Sequence, residues 1–577
     1  MAKVKKFSAL RQILNFYKKH LSFYVIFVII LLIKAVISFF SAMLIANIIS
    51  EIMVSNYKAV WKYAIINLAI LLVYQVLSYA NTYFYKNLEN RVRYDLQQKI
   101  IESALNIKMS YFDNMGSGTI VTRLTSDIDH ISERFKSLTE KVVNIIRRFS
   151  YLVYIFFLNI YLGLFVFVSV IIVSLAYTIR IHYLSKLKPG VKAQREVVNS
   201  KIIETIRAVK DIKTLNCDNN VLDLVGESQK EFIKKDNHEY YVGNLLCKIT
   251  DAIVNISDFL FIGVSIFLMS NLSLTSTVFY TCYLYKDNTF TLANEFGDFR
   301  YKLAECEVCA KRLFDIVYPN PIDIDKYGEN YENNYNGEIE FKNVNFSYLP
   351  NIEVLKNISF YIKPKTTVAF VGESGCGKST ITSLIGHLYY KNSGEIWLGT
   401  SEIDNLNKQF IRDNIAIVNQ FPYLFNLSIR ENFKMINSQI TDEEIWHLCE
   451  NVKLKKFISS LPKGLDSVIG EGGCQLSGGQ RQKLCIARAL CRNVKVMIFD
   501  EATSALDNSS QNEVMEVIRE LSSRMTILLI AHRLSTITFA DSIILIKNGN
   551  IVAEGKHNFL IKNNDYYKSL YEKSKEL

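Results

Sequence analysis

Long apolar blocks dominate about the first half of the chain, whereas short apolar runs alternate with polar stretches in the remainder. Six of the blocks reach the roughly 20 residues that a helix needs to cross a bilayer. They cover residues 22–50, 60–86, 139–159, 161–184, 245–270 and 273–297. The pattern therefore predicts a membrane α-helical bundle of six transmembrane helices, followed by a soluble domain.

The segments that link the six blocks differ in length and in charge. Short links follow the first, third and fifth blocks, whereas links of about 50 residues, rich in Lys and Arg, follow the second and fourth. Because basic loops stay on the cytosolic side, we expect both long links, the N-terminus and everything after the sixth block to be cytosolic. Both links keep a helical apolar period, so the spanning helices are expected to extend well below the bilayer.

Charged side chains interrupt several of these apolar blocks. At 3.6 residues per turn, Asp287, Asn294 and Asp298 share one face of the sixth block, and Asp251 and Asp258 share one face of the fifth. A charge that faces lipid near the bilayer centre costs at least about 2.5 to 3.5 kcal/mol. These faces are therefore expected to point into the bundle or into a wet cavity.

Two interpretations of the intramembrane charges remain open. In the first, Lys34 or Lys286 pairs with Asp258 or Asp287 and the ion pairs only hold helices together. In the second, carboxylates line a mildly acidic translocation cavity that suits a cationic peptide or amphiphile. The substrate-cavity residues of this hypothesis are Lys34, Asp251, Asp258, Asp287 and Glu295.

Composition and charge restrict the function further. The chain has 577 residues, is 49% hydrophobic and carries a formal net charge of +11. Its Lys and Arg residues are spread over the start and the long links, so we expect a lipid bilayer and no nucleic acid as partner.

All ten cysteines lie at or after Cys217, in regions expected to be membrane or cytosol, so disulfides are not expected. The abundance of Lys, Asn, Ile, Tyr and Phe, whose codons are AT-rich, favours a bacterial source and hence a plasma membrane.

A polar stretch, YPNPIDIDKYGENYENNYNG, punctuated by Pro and Gly, separates the two halves of the chain. After it, short β-rich runs such as TTVAFVG and VKVMIFDE alternate with helical stretches, which is typical of an α/β domain with a mostly parallel sheet. We therefore predict a transmembrane domain at 1–317, a linker at 318–336 and an α/β domain at 337–577.

A glycine-rich segment directly after one predicted strand is suited to bind phosphate. Gly372, Gly377, Lys378 and Ser379 stand at the spacing G-x4-G-K-S behind TTVAFV. The glycines let backbone N–H groups wrap phosphate oxygens, the lysine reaches the outer phosphates, and the serine hydroxyl can ligate Mg²⁺. The segment predicts a P-loop with ATP and Mg²⁺ as cofactors.

A second apolar strand, VMIF, delivers two carboxylates to its end. Asp500 can hold Mg²⁺ through water, and Glu501 can polarise the water that attacks the γ-phosphate. Such a pair alone would be structural more often than not. Together with a P-loop, it predicts ATP hydrolysis.

A second anion-binding helix start occurs in the same domain. LSGGQRQKLCIARAL places Ser477, Gly479 and Gln480 before an Arg- and Ala-rich helix. One P-loop already binds the phosphates, so this segment is surplus within a monomer. We expect it to close on the ATP of a second copy.

With these motifs in this order, the chain from about residue 338 resembles the nucleotide-binding domain of ATP-binding cassette (ABC) proteins. The resemblance implies that Tyr348 stacks on adenine, that Gln420 senses Mg²⁺ beside the membrane domain, and that His532 bonds the γ-phosphate. Asp507 corresponds to the D-loop. The family's P-loop covers Gly372, Glu373, Ser374, Gly375, Cys376, Gly377, Lys378, Ser379 and Thr380. One departure is Lys365, which stands where the family usually has glycine, and another is IGEGGCQ before the signature segment.

The membrane half shares the resemblance. YFDNMGSGTIVTRLTSDIDHI is similar to the first cytosolic loop of ABC exporters, in which a short coupling helix, here Tyr111 to Gly118, transmits force to the ATPase. The resemblance implies a half-transporter that works as a dimer with two ATP sites. Since every ATPase motif is intact, a homodimer is favoured, and a heterodimer with a second half-transporter stays open.

The sequence thus predicts an ATP-hydrolysing exporter that works by alternating access. The cargo is expected to be a cationic peptide or amphiphile, with lipid or multidrug export as the alternative and an ATP-gated channel or regulator as a weaker one. Soluble ABC ATPases that act on DNA or ribosomes share the nucleotide-binding domain but lack six spans, so the six apolar blocks argue against that class.

Two cysteines lie at the nucleotide motifs. Cys376 and Cys474 would make the ATPase activity sensitive to oxidation, unless they are only small residues that fit tight backbone.

Overall fold

The computed structural model describes residues 8–115, 120, 123–271, 274–318, 323–350, 352–420, 422–470, 474–502, 506–530 and 537–576. The chain divides into two compact units. The first comprises Met1–Leu105 and Gly118–Pro319, and the second comprises Asn106–Ser117 and Asn320–Leu577. The first long polar link is therefore shared between the units, whereas the sequence assigned all of it to the membrane domain. The predicted domain boundaries themselves stay a prediction.

Long helices build the first unit. In chain order the α-helices of the described residues up to 317, of which only α4 belongs to the second unit, are α1 (Ser8–Lys19), α2 (Leu21–Met53), α3 (Tyr57–Ala104), α4 (Met109–Met115), α5 (Ile128–Leu158), α6 (Ile160–Arg207), α7 (Val209–Leu215), α8 (Asp218–Asn271), α9 (Ser276–Phe290) and α10 (Leu292–Val317). At 1.5 Å per residue, the 48 residues of α3 extend about 72 Å, more than twice the thickness of a hydrocarbon core. These helices continue well beyond the apolar blocks, as the helical period of the polar links predicts.

Four helices of the described residues, α2, α3, α6 and α8, are long and apolar enough to cross a membrane. The third predicted block lies in α5, whose amphipathic sequence carries several charges. The sixth block is not one helix, because α9 ends at Phe290 and α10 begins at Leu292. The transmembrane helical fold is confirmed, and the count of six crossings stays a prediction.

One short link shows how two helices are joined tightly. Asn159 ends α5 with an extended backbone, and its side chain then accepts the backbone N–H groups of Tyr161 and Leu162 at 3.0 and 3.1 Å. An asparagine at this capping position satisfies N–H groups that have no partner within the helix. The sequence NIY is therefore enough to reverse the chain.

Two sheets and their flanking helices build the second unit. Its strands are β1 (Ile339–Phe346), β2 (Leu355–Ile362), β3 (Thr367–Val371), β4 (Ser393–Leu398), β5 (Ser401–Glu402), β6 (Ile415–Val418), β7 (Val496–Asp500), β8 (Thr526–Ile530), β9 (Ser542–Lys547) and β10 (Asn550–Gly555). Its further helices are α11 (Lys378–Ile385), α12 (Lys408–Asn414), α13 (Ile429–Lys434), α14 (Asp442–Asn451), α15 (Lys455–Ser460), α16 (Gly478–Ala489), α17 (Asn508–Ser522), α18 (His557–Asn563) and α19 (Asp565–Glu576).

The larger sheet has the order β10-β9-β3-β8-β7-β6, and all its pairs except β10 with β9 are parallel. The smaller sheet, β2-β1-β4-β5, is antiparallel. This arrangement confirms the predicted α/β domain with a mostly parallel sheet.

The core of the second unit lies on both faces of the larger sheet. Alternate residues of β3 belong to different hydrophobic clusters, with Ala369 and Val371 in one and Val368 and Phe370 in the other. A parallel sheet covered on both faces needs such continuous apolar strands. The runs VAFV (368–371) and VMIF (496–499) are apolar at every position for this reason.

The segment Asn106–Ser117 contains the helix α4 and packs within the second unit. The backbone N–H of Lys108 donates to the carbonyl of Asp323 at 2.9 Å, and the N–H of Asp325 donates to the carbonyl of Asn106 at 2.9 Å. The hydroxyl of Tyr389 donates to the carboxylate of Asp113. The predicted coupling helix, Tyr111 to Gly118, falls partly here, although residues 116–118 lie outside the described residues.

Candidate nucleotide site

The P-loop joins the central strand β3 to helix α11. Gly377 caps α11 with φ of +107°, a conformation that L side chains rarely adopt, and Gly375 also has positive φ of +80°. Glu373, Ser374 and Cys376 complete the turn. The loop therefore brings the N–H groups at the start of α11 to the carboxyl end of the sheet, where an anion is stabilised.

Lys378 is folded back across this loop. Its ammonium group donates to the carbonyl oxygens of Gly372 and Glu373, both at 2.8 Å, and the residue is only 6% exposed. A buried lysine needs such partners because an uncompensated charge would be costly. The cation is thus held in the mouth of the loop, from which it can turn toward a phosphate.

Two of the three residues predicted to contact Mg²⁺, which are Ser379, Asp500 and Gln420, meet beside Lys378. The hydroxyl of Ser379 donates to the carboxylate of Asp500 at 3.0 Å, although 121 residues separate them in sequence. Hydroxyl and carboxylate oxygens are the ligands that Mg²⁺ prefers. The donor set and its spacing therefore fit this ion.

The catalytic candidates follow neighbouring strands of the larger sheet. Glu501 comes directly after β7 and has φ of +51°, and its backbone N–H donates to the carbonyl of Ile530 at 3.0 Å. Gln420 follows β6 by two residues and is half-buried. His532 lies outside the described residues. Because the carboxyl ends of parallel strands meet at one edge, β3, β6 and β7 bring their following residues to the same region.

The backbone of Glu501 is strained. A non-glycine residue in the left-handed region costs about 1–2 kcal/mol, and such residues cluster at functional sites. The hydrogen bond from its N–H to β8 helps to hold this conformation. The chain therefore turns sharply after Asp500, so that the carboxylates of Asp500 and Glu501 point in different directions.

The signature segment forms the start of helix α16. The side chain of Ser477 accepts the N–H of Gln480 at 3.2 Å, and the side chain of Gln480 accepts the N–H of Ser477 at 3.0 Å, which is a capping box. Gly479 is buried, and a Cβ there would lie 2.7 Å from the Cβ of Ser510. Ser477 itself is exposed, so this helix start can accept an external anion.

Two further candidates have clear structural partners. Asp507 caps α17 and accepts the N–H of Ser510 at 3.1 Å, and this hydrogen bonding lowers the pKa of its carboxyl. Tyr348 is 47% exposed, and its hydroxyl lies 3.2 Å from that of Thr380 beside the P-loop. Its ring therefore stands at the P-loop with an accessible face.

The two cysteines near the nucleotide motifs differ in exposure. Cys376 is buried within the P-loop, and burial raises the pKa of its thiol. Cys474 is half-buried. A raised thiol pKa lowers the fraction of thiolate, which makes Cys376 less reactive toward oxidants.

In the first unit, Lys286 forms the centre of one ion-pair cluster. The side chain is 0% exposed, and its ammonium lies 2.7 Å from the carboxylate of Asp258 on α8 and 3.4 Å from that of Asp287. The rings of Tyr283 and Phe261 lie 4.3 and 5.1 Å from the same ammonium. These contacts match the first interpretation of the intramembrane charges.

Sequence reasoning missed the partners of Glu295. This buried carboxylate lies 2.7 Å from the ammonium of Lys141 and 2.9 Å from the guanidinium of Arg148, both on α5. Lys141 also contacts Asp298 at 3.0 Å. The available signal was the presence of several cations in the third apolar block, which needed anions inside the bundle.

The remaining cavity candidates have weaker partners. The ammonium of Lys34 donates to the hydroxyl of Ser78 at 3.1 Å and lies 4.9 Å from the ring of Tyr74. Asp251 lies 3.5 Å from Lys248 on the same helix, and both side chains are exposed. The structure thus brings Asp258 and Asp287 together around Lys286 and assigns Glu295, Lys34 and Asp251 to other contacts.

Comparisons with known proteins give a family for both units. The family model for the ABC transporter matches residues 355–504, and the model for the ABC transporter transmembrane region matches residues 24–285. Among similar proteins, the ATP-dependent lipid A-core flippase of Haemophilus influenzae is 32% identical over 90% of this chain and 88% of its own length. A putative export ATP-binding/permease protein of Rickettsia bellii is 28% identical over 97% of both chains. Multidrug resistance protein 1 of Entamoeba histolytica is 32% identical over 82% of this chain, which spans 38% of that protein.

Proposed function

This chain belongs to the ABC transporter family and is an ATP-hydrolysing exporter, and we propose that it works in the plasma membrane as a homodimer with two shared ATP sites. The exposed capping box at Ser477 is the observation that carries the dimer. It is a second anion-binding helix start in a unit that already has a P-loop. A heterodimer with a second half-transporter remains the alternative.

Each site would use residues from both copies. In one copy, Lys378 exchanges the carbonyl oxygens of the loop for the outer phosphates, and Tyr348 stacks on the adenine. In the other copy, Ser477, Gly479 and the start of α16 bind the γ-phosphate. ATP would thereby hold two second units together.

Hydrolysis of the bound ATP would depend on the carboxylates at the end of strand β7. Ser379, Asp500 and Gln420 would hold Mg²⁺, which neutralises charge on the phosphates when bound. Glu501 accepts a proton from the attacking water, and His532 and Asp507 complete the site in the role that the family gives them. Loss of the γ-phosphate then removes the anion on which the two copies close, and the transporter resets.

A trapped dimer tests this proposal. Glu501→Gln removes the proton acceptor, so the rate of hydrolysis should fall by about 10²–10⁴-fold while ATP still binds. We expect light scattering of the detergent-solubilised variant to show an ATP-dependent, compact dimer. The control is Glu501→Gln with Lys378→Ala, which should not respond to ATP. A Glu501→Gln protein that stays monomeric in ATP would contradict the shared site.

For the cargo we propose a cationic peptide or amphiphile, with lipid or multidrug export as the alternative. Support for a cationic cargo comes from Asp287, whose side chain is 60% exposed, and from the exposed Asp251. The alternative is supported by relatives named as a lipid A-core flippase and as multidrug resistance proteins.

Transport in proteoliposomes separates these cargoes. Asp287→Asn should selectively reduce uptake of cationic peptides and dyes relative to lipids, and Asp223→Asn, in the polar part of α8, is the matched control. Unaltered selectivity would favour the lipid or multidrug alternative. An ATP-gated channel, the weaker alternative, would instead produce ion currents in membrane patches.

A further inference from the structure

A cleft lies between α6 and α8, outside the nucleotide site and away from the intramembrane charges. Its volume is about 440 Å³. Its lining includes Lys186, Gly190, Glu231, Lys234, Lys235 and His238. Three lysines and one glutamate give the lining a net charge of +2 when His238 is neutral. The cleft therefore attracts anions.

One lysine of the cleft is already satisfied. Lys235 lies 2.8 Å from Glu231, and both are bridged by Gln194, which donates to Glu231 at 3.2 Å and accepts from Lys235 at 3.1 Å. Within the described part of the chain, Lys186 and Lys234 have no carboxylate within 4.0 Å. Their charges are thus available to a ligand.

The register of α6 and α8 shows how far the cleft lies from the bilayer. Leu184 packs against Gly243, where a Cβ would lie 3.1 Å from the Cδ2 atom of the leucine. The ends of the predicted spans at 184 and 245 are therefore nearly level. At 1.5 Å per residue, Lys186 lies about 3 Å and Lys234 about 16 Å beyond those ends. The cleft begins at the height of the lipid headgroups and continues into the cytosol.

The surroundings of the cleft also suit the membrane surface. Tyr183, Tyr240 and Tyr241 are exposed near the same level, and tyrosines concentrate at bilayer interfaces. Gly190 follows Pro189 within α6, and a Cβ at Gly190 would meet no atom within 4 Å. The glycine thus leaves open space between the lysines.

We propose that this cleft binds the headgroup of an anionic phospholipid of the cytosolic leaflet, with Lys186 on the phosphate and with Lys234, about 13 Å farther from the bilayer, adding to the positive charge that attracts it. A lipid fits better than a soluble phosphate because the cleft opens at the membrane surface and is flanked by interfacial tyrosines. The proposal uses the predicted membrane orientation and is independent of the dimer and of the cargo.

Two kinds of variant test the site in the full-length protein. Lys186→Gln with Lys234→Gln removes the two available charges, and Gly190→Leu fills the space without changing charge. The matched control, Lys562→Gln with Lys568→Gln, removes two exposed lysines from the second unit. Each protein is reconstituted in nanodiscs that contain phosphatidylglycerol and phosphatidylcholine, and retained lipids are counted by native mass spectrometry.

We expect the wild-type protein and the control to retain one phosphatidylglycerol per chain, and both cleft variants to retain it on the order of tenfold more weakly. Millimolar inorganic phosphate should not release the lipid. Equal retention by the wild type and both cleft variants would overturn the site, and release by inorganic phosphate would overturn the lipid as its occupant. Basal ATPase activity, expected to be unchanged in all variants, reports that each protein is folded.

Discussion

Substituting either partner of the ion pair between Lys286 and Asp258 should destabilise the protein, but the two substitutions should not cost the same free energy of unfolding. Lys286 is 0% exposed, whereas the side chain of Asp258 is 32% exposed. Removing one partner of a buried pair costs about 3–5 kcal/mol when the other charge is left buried. Asp258→Asn leaves Lys286 buried with only Asp287, at 3.4 Å, as a carboxylate partner within the described residues. We therefore expect a cost of about 3 kcal/mol, at the low end of that range.

The reverse substitution should be milder. Lys286→Met keeps an unbranched side chain among the rings of Tyr283 and Phe261, and it leaves Asp258, which can contact water. We expect it to cost about 1 kcal/mol, and the double variant Asp258→Asn with Lys286→Met should be more stable than Asp258→Asn alone.

The assay is thermal unfolding of the four proteins in one detergent, followed by intrinsic fluorescence. The order of midpoints should be wild type, Lys286→Met, the double variant and Asp258→Asn, with the middle two close together. A Lys286→Met protein that is less stable than Asp258→Asn would refute the reasoning from burial. A double variant no better than Asp258→Asn would show that the lysine is not the source of the cost.

Two further predictions concern the second unit. Lys365, at φ of +57° where the family usually has glycine, should gain about 1 kcal/mol of stability on substitution by glycine, measured by denaturant unfolding of the full-length protein. The hydrogen bond from His387 and the neighbouring Lys391 lower the pKa of Asp404 to about 2. Because this pKa lies below that of the unfolded chain, the contribution of Asp404 to folding stability is complete above about pH 4 and is lost as pH falls toward 2. Asp404→Asn should therefore lower the unfolding midpoint at pH 6, and the difference from the wild type should shrink below pH 4; a difference that grows there would contradict the assignment.

The second unit could be predicted in detail because its signals are local. The strand TTVAFV, the glycines after it and the lysine that follows occur within 15 residues, and β3 and α11 form where this pattern predicts. The pairing of Ser379 with Asp500 also follows, since both were assigned to one ion. The fold-back of Lys378 onto Gly372 and Glu373 could not be derived, because the P-loop pattern describes only the role of the lysine toward phosphate.

The membrane half was less predictable because its polar residues are satisfied across helices. Hydropathy located the apolar blocks, but it could not identify which cation meets Glu295, and the break between α9 and α10 at Thr291 has no proline or glycine to announce it. The hydroxyl of Thr291 donates to the carbonyl of Asn288 at 2.7 Å, which offers the backbone a partner outside the helical pattern. A local hydrogen bond of this kind has no signature in apolar periodicity.

The pairing pattern bears directly on how the cargo should be tested. Asp258 neutralises a fully buried lysine, and Glu295 neutralises two cations, so their removal would alter helix packing as well as the charge of any cavity. A loss of transport in Asp258→Asn would therefore not distinguish substrate binding from local destabilisation. Asp287 is 60% exposed and is only the more distant partner of Lys286, so Asp287→Asn changes the charge with little effect on packing. Selectivity in that variant is the measurement on which the choice between a cationic cargo and a lipid should rest.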